Sequence, residues 1–255
     1  MKYCMLILTL VLSLSSFAAD DKKETLKIYG SEGPTPPVRE AADAFAAANN
    51  IQMEVISTPL DKWRPQARKD ADIIYSGSEN VMDTYNDDLG ILDDKTITTL
   101  FMRPAALLVR KGNPKKIKGI RDLLQKDVKV ITVNGQGQVA LWEDIVGRLK
   151  DVQALSDFRK RIVFTARNSS EATVYWKNHE EVDVWIAFNT WAKREDVITA
   201  DVVNIEKDLI VYRSMGAAVT TITNQRELSL KFIEFLKTPE AEKIFKAQGW
   251  FKKEK

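Results

Sequence analysis

The chain has 255 residues, with 38 Lys and Arg against 36 Asp and Glu, one histidine and one cysteine. A near-neutral surface with both signs interspersed excludes an extended nucleic-acid groove or an anionic-membrane face. His179 and Cys4, each the only one of its type, leave too few parts for a zinc centre or a Ser-His-Asp or Cys-His nucleophile system, so no metal and no cofactor is expected.

Residues 1–18 read as a targeting segment. Lys2 supplies a positive start, Met5 to Leu14 form an apolar core too short to span a bilayer, and Ser16-Phe17-Ala18 fits a cleavage site before Ala19. Cys4 leaves with it, so the exported chain is expected to carry neither thiol nor disulfide. The sequence thus predicts a monomer in the periplasm.

Beyond the leader, strand-like and helix-like segments alternate. LKIYG (26–30) predicts a strand, VREAADAFAAANN (38–50) an Ala-rich helix, IQMEVIS (51–57) a strand, DKWRPQARKD (61–70) a short helix interrupted by Pro65, and ADIIYSG (71–77) a strand. The apolar run from Leu100 to Val109 is long for one strand, and Pro104 removes a ladder donor in its middle. A strand leaving one sheet and entering another tolerates this. VKVITVNG (128–135) is again a strand, QVALWEDIVGRLK (138–150) a helix, and VDVWIAFN (182–189) a strand followed by a short helix from Thr190. DLIVYRSMGAAVTT (208–221) is a second long run, so the chain crosses to a second lobe and returns. Two helices close it, the second starting at Pro239 after the cap residue Thr238. Short connections in such an alternation imply an α/β fold whose lobes are each a mostly parallel sheet flanked by helices, joined by two hinge crossings. Lobe 1 is expected over 19–105 plus 210–255 and lobe 2 over 106–209.

The strand ends share a chemistry. They run into Gly30-Ser31-Glu32-Gly33, Ser76-Gly77-Ser78, Asn134-Gly135-Gln136-Gly137-Gln138, Arg167-Asn168-Ser169-Ser170 and Asn189-Thr190. Crevices in open parallel sheets lie beyond the strands' carboxyl ends, where the following helices aim free N–H groups and positive dipole ends. Glycine permits close approach, while Ser, Asn and Gln add donors without net charge. Turns from two lobes facing one cleft suit a small oxyanion, with each neutral donor worth about 1.5–3 kcal/mol to a charged acceptor. For any single turn, ordinary helix capping is the competing explanation. Arg103 and Arg167 can counter an anion's charge, or serve as solvated or hinge-bridging groups. Trp142 and Trp191 follow candidate binding loops and are candidate cleft-lining residues, whereas Trp250 is expected to cover the C-terminal helix.

The stretch RPAALLVRKGNPKKIKGIRDLLQKDVKVITVN resembles the hinge strand, Gly-Asn-Pro turn and second-lobe start of type II periplasmic solute-binding proteins. FIEFLKTPEAEKIFKAQGW resembles their C-terminus, and IIYSGSEN with VNGQGQVALWED is most similar to accessory colonization factor C-type proteins, relatives of sulfate- and molybdate-binding proteins. The resemblance implies two lobes closing on a ligand that is passed to the membrane subunits of an ABC transporter. By position it implies ligand contacts from Ser31 and from Ser76 or Ser78 in the first lobe, and from Gln136 to Gln138, Asn168 or Ser169, and Asn189 in the second. Together with Gly30, Gly33, Gly77 and Gly137 of these turns and Arg103, they make the expected ligand-binding set. Gln136 and Gln138 stand where the sulfate and molybdate patterns carry hydroxyls, so a small carboxylate competes with sulfate as the ligand. The rival readings are an adhesion or sensing protein, or an enzyme on the same scaffold using Tyr75, Glu79, Glu143 or Asp144.

Overall fold

The computed structural model describes residues 24–125, 127–194 and 198–253; the targeting segment and Cys4 lie outside them. The first part of the chain forms β1 (Thr25–Gly30), α1 (Thr35–Asn49), β2 (Gln52–Ile56), α2 (Leu60–Asp70), β3 (Ile73–Ser76) and α3 (Glu79–Leu89). The long strand β4 (Thr98–Val109) follows, then α4 (Ile120–Gln125), β5 (Val130–Val133), α5 (Leu141–Val146), α6 (Val152–Arg159), β6 (Ile162–Ala166), α7 (Ser169–Asn178), β7 (Val184–Phe188) and β8 (Asp201–Asn204). The chain returns through β9 (Tyr212–Val219) to α8 (Arg226–Leu236) and α9 (Pro239–Ala247).

The strands pair in the order β2-β1-β3-β9-β4-β7-β5-β6, with β8 also on β4. Pairs β1–β2, β1–β3, β5–β6 and β5–β7 are parallel, while β4 and β9 are antiparallel to their neighbours. Instead of two separate sheets, one hydrogen-bonded path therefore runs through the molecule, and β4 carries it. Residues 98–104 of β4 pair with β9, and residues 105–109 with β7 and β8. Pro104 falls where the partner changes, so its missing N–H interrupts no continuous ladder.

Three apolar cores form on this sheet. One is built from residues 105–211, including Leu107, Trp176, Trp185 and Phe188. The other two cover opposite faces of β1 and β3: Ile28, Ile73 and Tyr75 join Phe45, Phe232 and Phe245, while Tyr29 and Ile74 join Trp63 and Tyr85. Burial on both faces explains why IIY is a continuous apolar run with no alternation. Each such side chain contributes about 1.5–3 kcal/mol by leaving water. The C-terminal helices return to α1, where Phe45 lies 5.3 Å from Phe232 and 5.5 Å from Phe235. The Thr238 hydroxyl accepts from the Ala241 N–H, and Pro239 opens α9, as the sequence predicts.

Three local expectations change. Helix α1 starts at Thr35, because Pro36 and Pro37 sit in a first turn that needs no N–H donors, and it ends at Asn50 with φ 54°. Helix α2 runs through Pro65 without interruption, losing only the bond that would have reached the Asp61 carbonyl. The segment 138–150 is not one helix. Gln136 and Ala140 adopt φ 49° and 54°, left-handed values that confine the α-helix to Leu141–Val146 between two short 3-10 turns. Among the described residues, no helix is long and apolar enough to cross a membrane, and no cluster of His, Cys, Asp and Glu is placed to hold a metal.

Candidate functional site

Strand β4 delivers Arg103 to the point where its pairing passes from β9 to β7. The side chain is buried, 4% exposed. Its guanidinium carbon lies 4.0 Å from the Phe188 ring centroid and 4.5 Å from that of Trp250. Among the described residues it makes one hydrogen bond: Nη1 donates to Thr190 Oγ1 at 3.1 Å. Nε has no partner among the described residues, and no carboxylate pairs with the group. Burial alone pushes its pKa down to about 9. Arg103 is thus a cation at neutral pH, removed from water and unneutralised by the protein. Such a charge costs several kcal/mol unless an anion meets it.

Two first-half turns close on this cation. A methyl group added at Gly33 would lie 2.8 and 2.9 Å from the two terminal guanidinium nitrogens, and one at Gly77 would lie 3.2 Å from Nη2. Any side chain there would displace the guanidinium or fill the space beside it. Gly30 is equally constrained, since a methyl would lie 2.1 Å from the Tyr75 carbonyl oxygen. Ser78 stands at the N-cap of α3 but does not cap it; its hydroxyl donates to Asn80 Oδ1 at 2.6 Å. The start of α1, at Pro34, likewise has no side-chain cap. Helix α3 therefore keeps unsatisfied N–H groups in its first turn, whereas α1 does not: Pro36 and Pro37 carry none, and the Thr35 and Val38 N–H groups donate to the Glu32 and Pro34 carbonyls. Ser76 Oγ is buried without a partner, while Ser31 Oγ is engaged with Tyr85 Oη at 3.0 Å.

The second-half turns meet the first across the cleft. A methyl on Gly137 would lie 2.9 Å from Ser78 Oγ and 3.4 Å from the Gly77 carbonyl oxygen. Gln138 Nε2 donates to Ser169 Oγ at 2.8 Å, and Gln138 Oε1 is buried without a partner. Asn189 Nδ2 donates to the Gly249 carbonyl at 2.9 Å, leaving Oδ1 unpartnered. Ser170 Oγ also crosses the cleft, donating to the Glu32 carboxylate at 3.2 Å.

Not every predicted residue joins this set. Asn168 behaves as a plain cap, its side chain accepting from the Glu171 N–H at 2.8 Å. Gln136 is exposed, because its left-handed backbone turns it outward. Arg167 is also exposed and paired with Glu171, which removes it as a countercharge. Trp142 stacks on Phe158 at 5.7 Å beside a separate cavity, whereas Trp191 lines the cleft. Of the acid-base candidates, Tyr75 bonds to Thr35, Glu79 accepts from Thr99 and Ser214, and Asp144 pairs with Arg213, while Glu143 is exposed at the separate cavity beside Trp142. Sequence reasoning missed Thr190 and Phe188 as partners of Arg103; Trp250 packs on Phe245 of the C-terminal helix as expected, but its contact with Arg103 was also missed. The one available signal was that Phe188 and Thr190 flank the candidate Asn189.

Outside the Arg103 centre, a cavity of about 280 Å³ opens between the halves. Glu32, Thr35 and Arg39 line one wall, and Thr173, Trp191 and Arg194 the other.

A family model described as bacterial extracellular solute-binding protein matches residues 26–251. A sulfate-binding protein of Synechococcus elongatus is 28% identical over 93% of this chain and 67% of its own length. The crystal structure of L-phospholactate-bound PEB3 is 31% identical, covers 89% of this chain and all of its own, and has a TM-score of 0.82; Peb3 from Campylobacter jejuni matches equally well, at 0.81. The periplasmic molybdate-binding protein of Azotobacter vinelandii shares the fold at a TM-score of 0.70 and 15% identity, covering 90% of this chain and all of its own.

Proposed function

We propose, from the premise that this chain belongs to the bacterial extracellular solute-binding protein family and has the type II periplasmic binding-protein fold, that it captures a small anion on Arg103. As a solute-binding protein it binds its ligand and is not an enzyme. The observation that carries the reading is the buried guanidinium with a free Nε and no carboxylate partner. An anion neutralises it there at little cost in order, because the guanidinium is already held by Thr190 and two aromatic rings. The Ser76 and Ser169 hydroxyls and the uncapped start of α3 supply further donors, and Ser78 joins them by turning its hydroxyl from Asn80 to the anion; Gln138 and Asn189 hold the turns in place through Ser169 and the Gly249 carbonyl. Several charge-assisted hydrogen bonds, less ordering and dehydration costs, leave affinity near the micromolar range, about −8 kcal/mol.

The ligand class is a sulfate-like oxyanion or a small carboxylate. PEB3 binds L-phospholactate, which carries a phosphate and a carboxylate, and the cyanobacterial relative is a sulfate-binding protein. Both anion types suit a guanidinium met by neutral donors. Residues 19–105 with 210–255 form one lobe and 106–209 the other, and they close by hinge motion at 101–107 and 208–216. The mature monomer works in the periplasm after loss of residues 1–18 and hands its ligand to an ABC transporter.

Thermal unfolding with sulfate, phosphate, molybdate, L-phospholactate and small organic acids tests this. A ligand at a hundredfold excess over Kd adds about 2.7 kcal/mol, roughly 5–10 °C for a chain of this size. Melting curves unmoved by every one of these anions would end the small-anion reading.

A further inference from the structure

We infer that Trp250, carried on the C-terminal strap of residues 248–251, is a positioning residue for anion capture: it holds the Arg103 guanidinium for the ligand and ties it to lobe closure. The inference rests on the reading of Arg103 as the anion centre. Helix α9 ends at Ala247, and Gly249, with φ 86°, reverses the chain. A left-handed turn of this kind strains any residue but glycine. Phe251 then exchanges both backbone hydrogen bonds with Met102, at 2.7 and 2.9 Å, so the strap pairs with β4 next to Arg103. Trp250 is 1% exposed and presents its ring to the guanidinium, while Phe245 meets its edge at 6.3 Å.

The strap also reaches the other half of the molecule. Asn189 Nδ2 donates to the Gly249 carbonyl, and a methyl on Gly249 would lie 3.0 Å from that nitrogen. Phe188 and Thr190, the neighbours of Asn189, are the other two groups that hold Arg103. One segment from each half therefore grips the same cation, and the strap bonds to both the hinge strand and the opposing turn. Aromatic faces supply attraction to a cation without a hydrogen-bond acceptor that would compete with an anion. They also fix a planar fork whose value lies in its orientation. A packing role for Trp250 alone would not require contact with the cation, nor a strap that bonds to the second half.

Calorimetric titration with sulfate and inorganic phosphate, on wild type, Trp250→Phe and Trp250→Leu, tests the assignment. Trp250→Phe keeps a ring over the cation and should hold Kd within about threefold, whereas Trp250→Leu should weaken binding tenfold or more. Water admitted beside Arg103 in Trp250→Leu should also move the alkaline loss of affinity to higher pH, which a packing defect would not do. Trp250→Phe guards against a leucine variant that does not fold: anion addition to wild type should change tryptophan emission, and Trp250→Phe should lose at least half of that change. An undiminished emission change in Trp250→Phe, or binding by folded Trp250→Leu within twofold of wild type, overturns the inference and leaves the anion reading standing. A wild type silent to both anions, and to the wider anion panel, overturns both.

Discussion

Arg103 and Arg110 lie along the same stretch of chain, and both pack against aromatic rings, yet the structure treats them in opposite ways. Arg110, just past the end of β4, donates through Nε to the Val182 carbonyl at 2.6 Å and through Nη2 to the carbonyls of Trp176 and His179. Its guanidinium carbon lies 3.7 Å from the Trp176 ring centroid. Burial lowers its pKa, with nearby acidic residues opposing the shift. Arg103 is more deeply buried, has one hydroxyl as acceptor and pairs with no carboxylate among the described residues. A guanidinium that spends its donors on backbone carbonyls is structural. One that is desolvated with donors unspent is poised for an acceptor from outside. Burial and aromatic contact alone do not separate the two cases; counting acceptors does.

Exchanging each arginine for methionine gives the largest expected effects and the most direct way to break this contrast. Arg103→Met should abolish anion binding, at least a hundredfold in Kd, with a melting temperature unchanged or raised because an unpaired buried charge is gone. Arg110→Met should do the reverse. Anion affinity of the folded protein stays, while stability falls by roughly 2–3 kcal/mol as buried carbonyls lose their donor. Comparable affinity losses in both variants would show that the distinction is wrong.

The pH dependence of sulfate binding is the next largest effect. The Arg103 pKa is depressed to about 9 in the folded protein, and sulfate does not titrate in this range. Affinity should be flat across neutral pH and fall above pH 9 by about tenfold per unit as the cation is lost. The stability of the ligand-free protein moves the other way through this group, since the unfolded chain holds the proton that the folded one releases above pH 9. Affinity that stays constant well above pH 9 would show that Arg103 is not the countercharge.

Serine-to-alanine exchanges sharpen the contrast between capping and binding. Ser78 occupies an N-cap position without capping, and Ser76 Oγ is buried and unpartnered. Ser76→Ala should weaken binding by about tenfold, the loss of one charge-assisted hydrogen bond, and Ser78→Ala by somewhat less, because its hydroxyl gives up Asn80 to reach the anion; neither should change stability much. Asn168→Ala is the counterpart and the smallest effect. It removes a true cap from α7, so it should cost about 1 kcal/mol in denaturant unfolding and leave affinity untouched. A binding defect in Asn168→Ala, or normal binding in both serine variants, would reverse the assignment of these turns.

The alternation of elements, the crossing at Pro104 and the cap at Thr238 were legible in the residues, because they follow from periodicity, turn chemistry and the missing proline donor. The family resemblance was legible in contiguous stretches such as RPAALLVRKGNP and FIEFLKTPEAEKIF. Less visible was which polar turn residues face inward. Ser78 and Asn168 look alike in sequence, each a small polar residue opening a helix, yet one is left uncapped beside a cation and the other satisfies its own helix. The left-handed backbone at Gln136 and Ala140, which turns Gln136 outward, also left no mark that composition could show.

Sequence by itself determined the class of molecule: an α/β chain crossing twice between halves, with strand ends rich in glycine and neutral donors and without the parts for metal or nucleophile chemistry. These properties are local, set by side-chain period, φ preference and residue inventory. Only the tertiary structure decided that Arg103 is the charge at the centre. Whether an arginine finds acceptors depends on groups far away in the chain, here Thr190, Phe188 and Trp250. Burial and hydrogen-bond supply are properties of the assembled fold, and no single segment carries them.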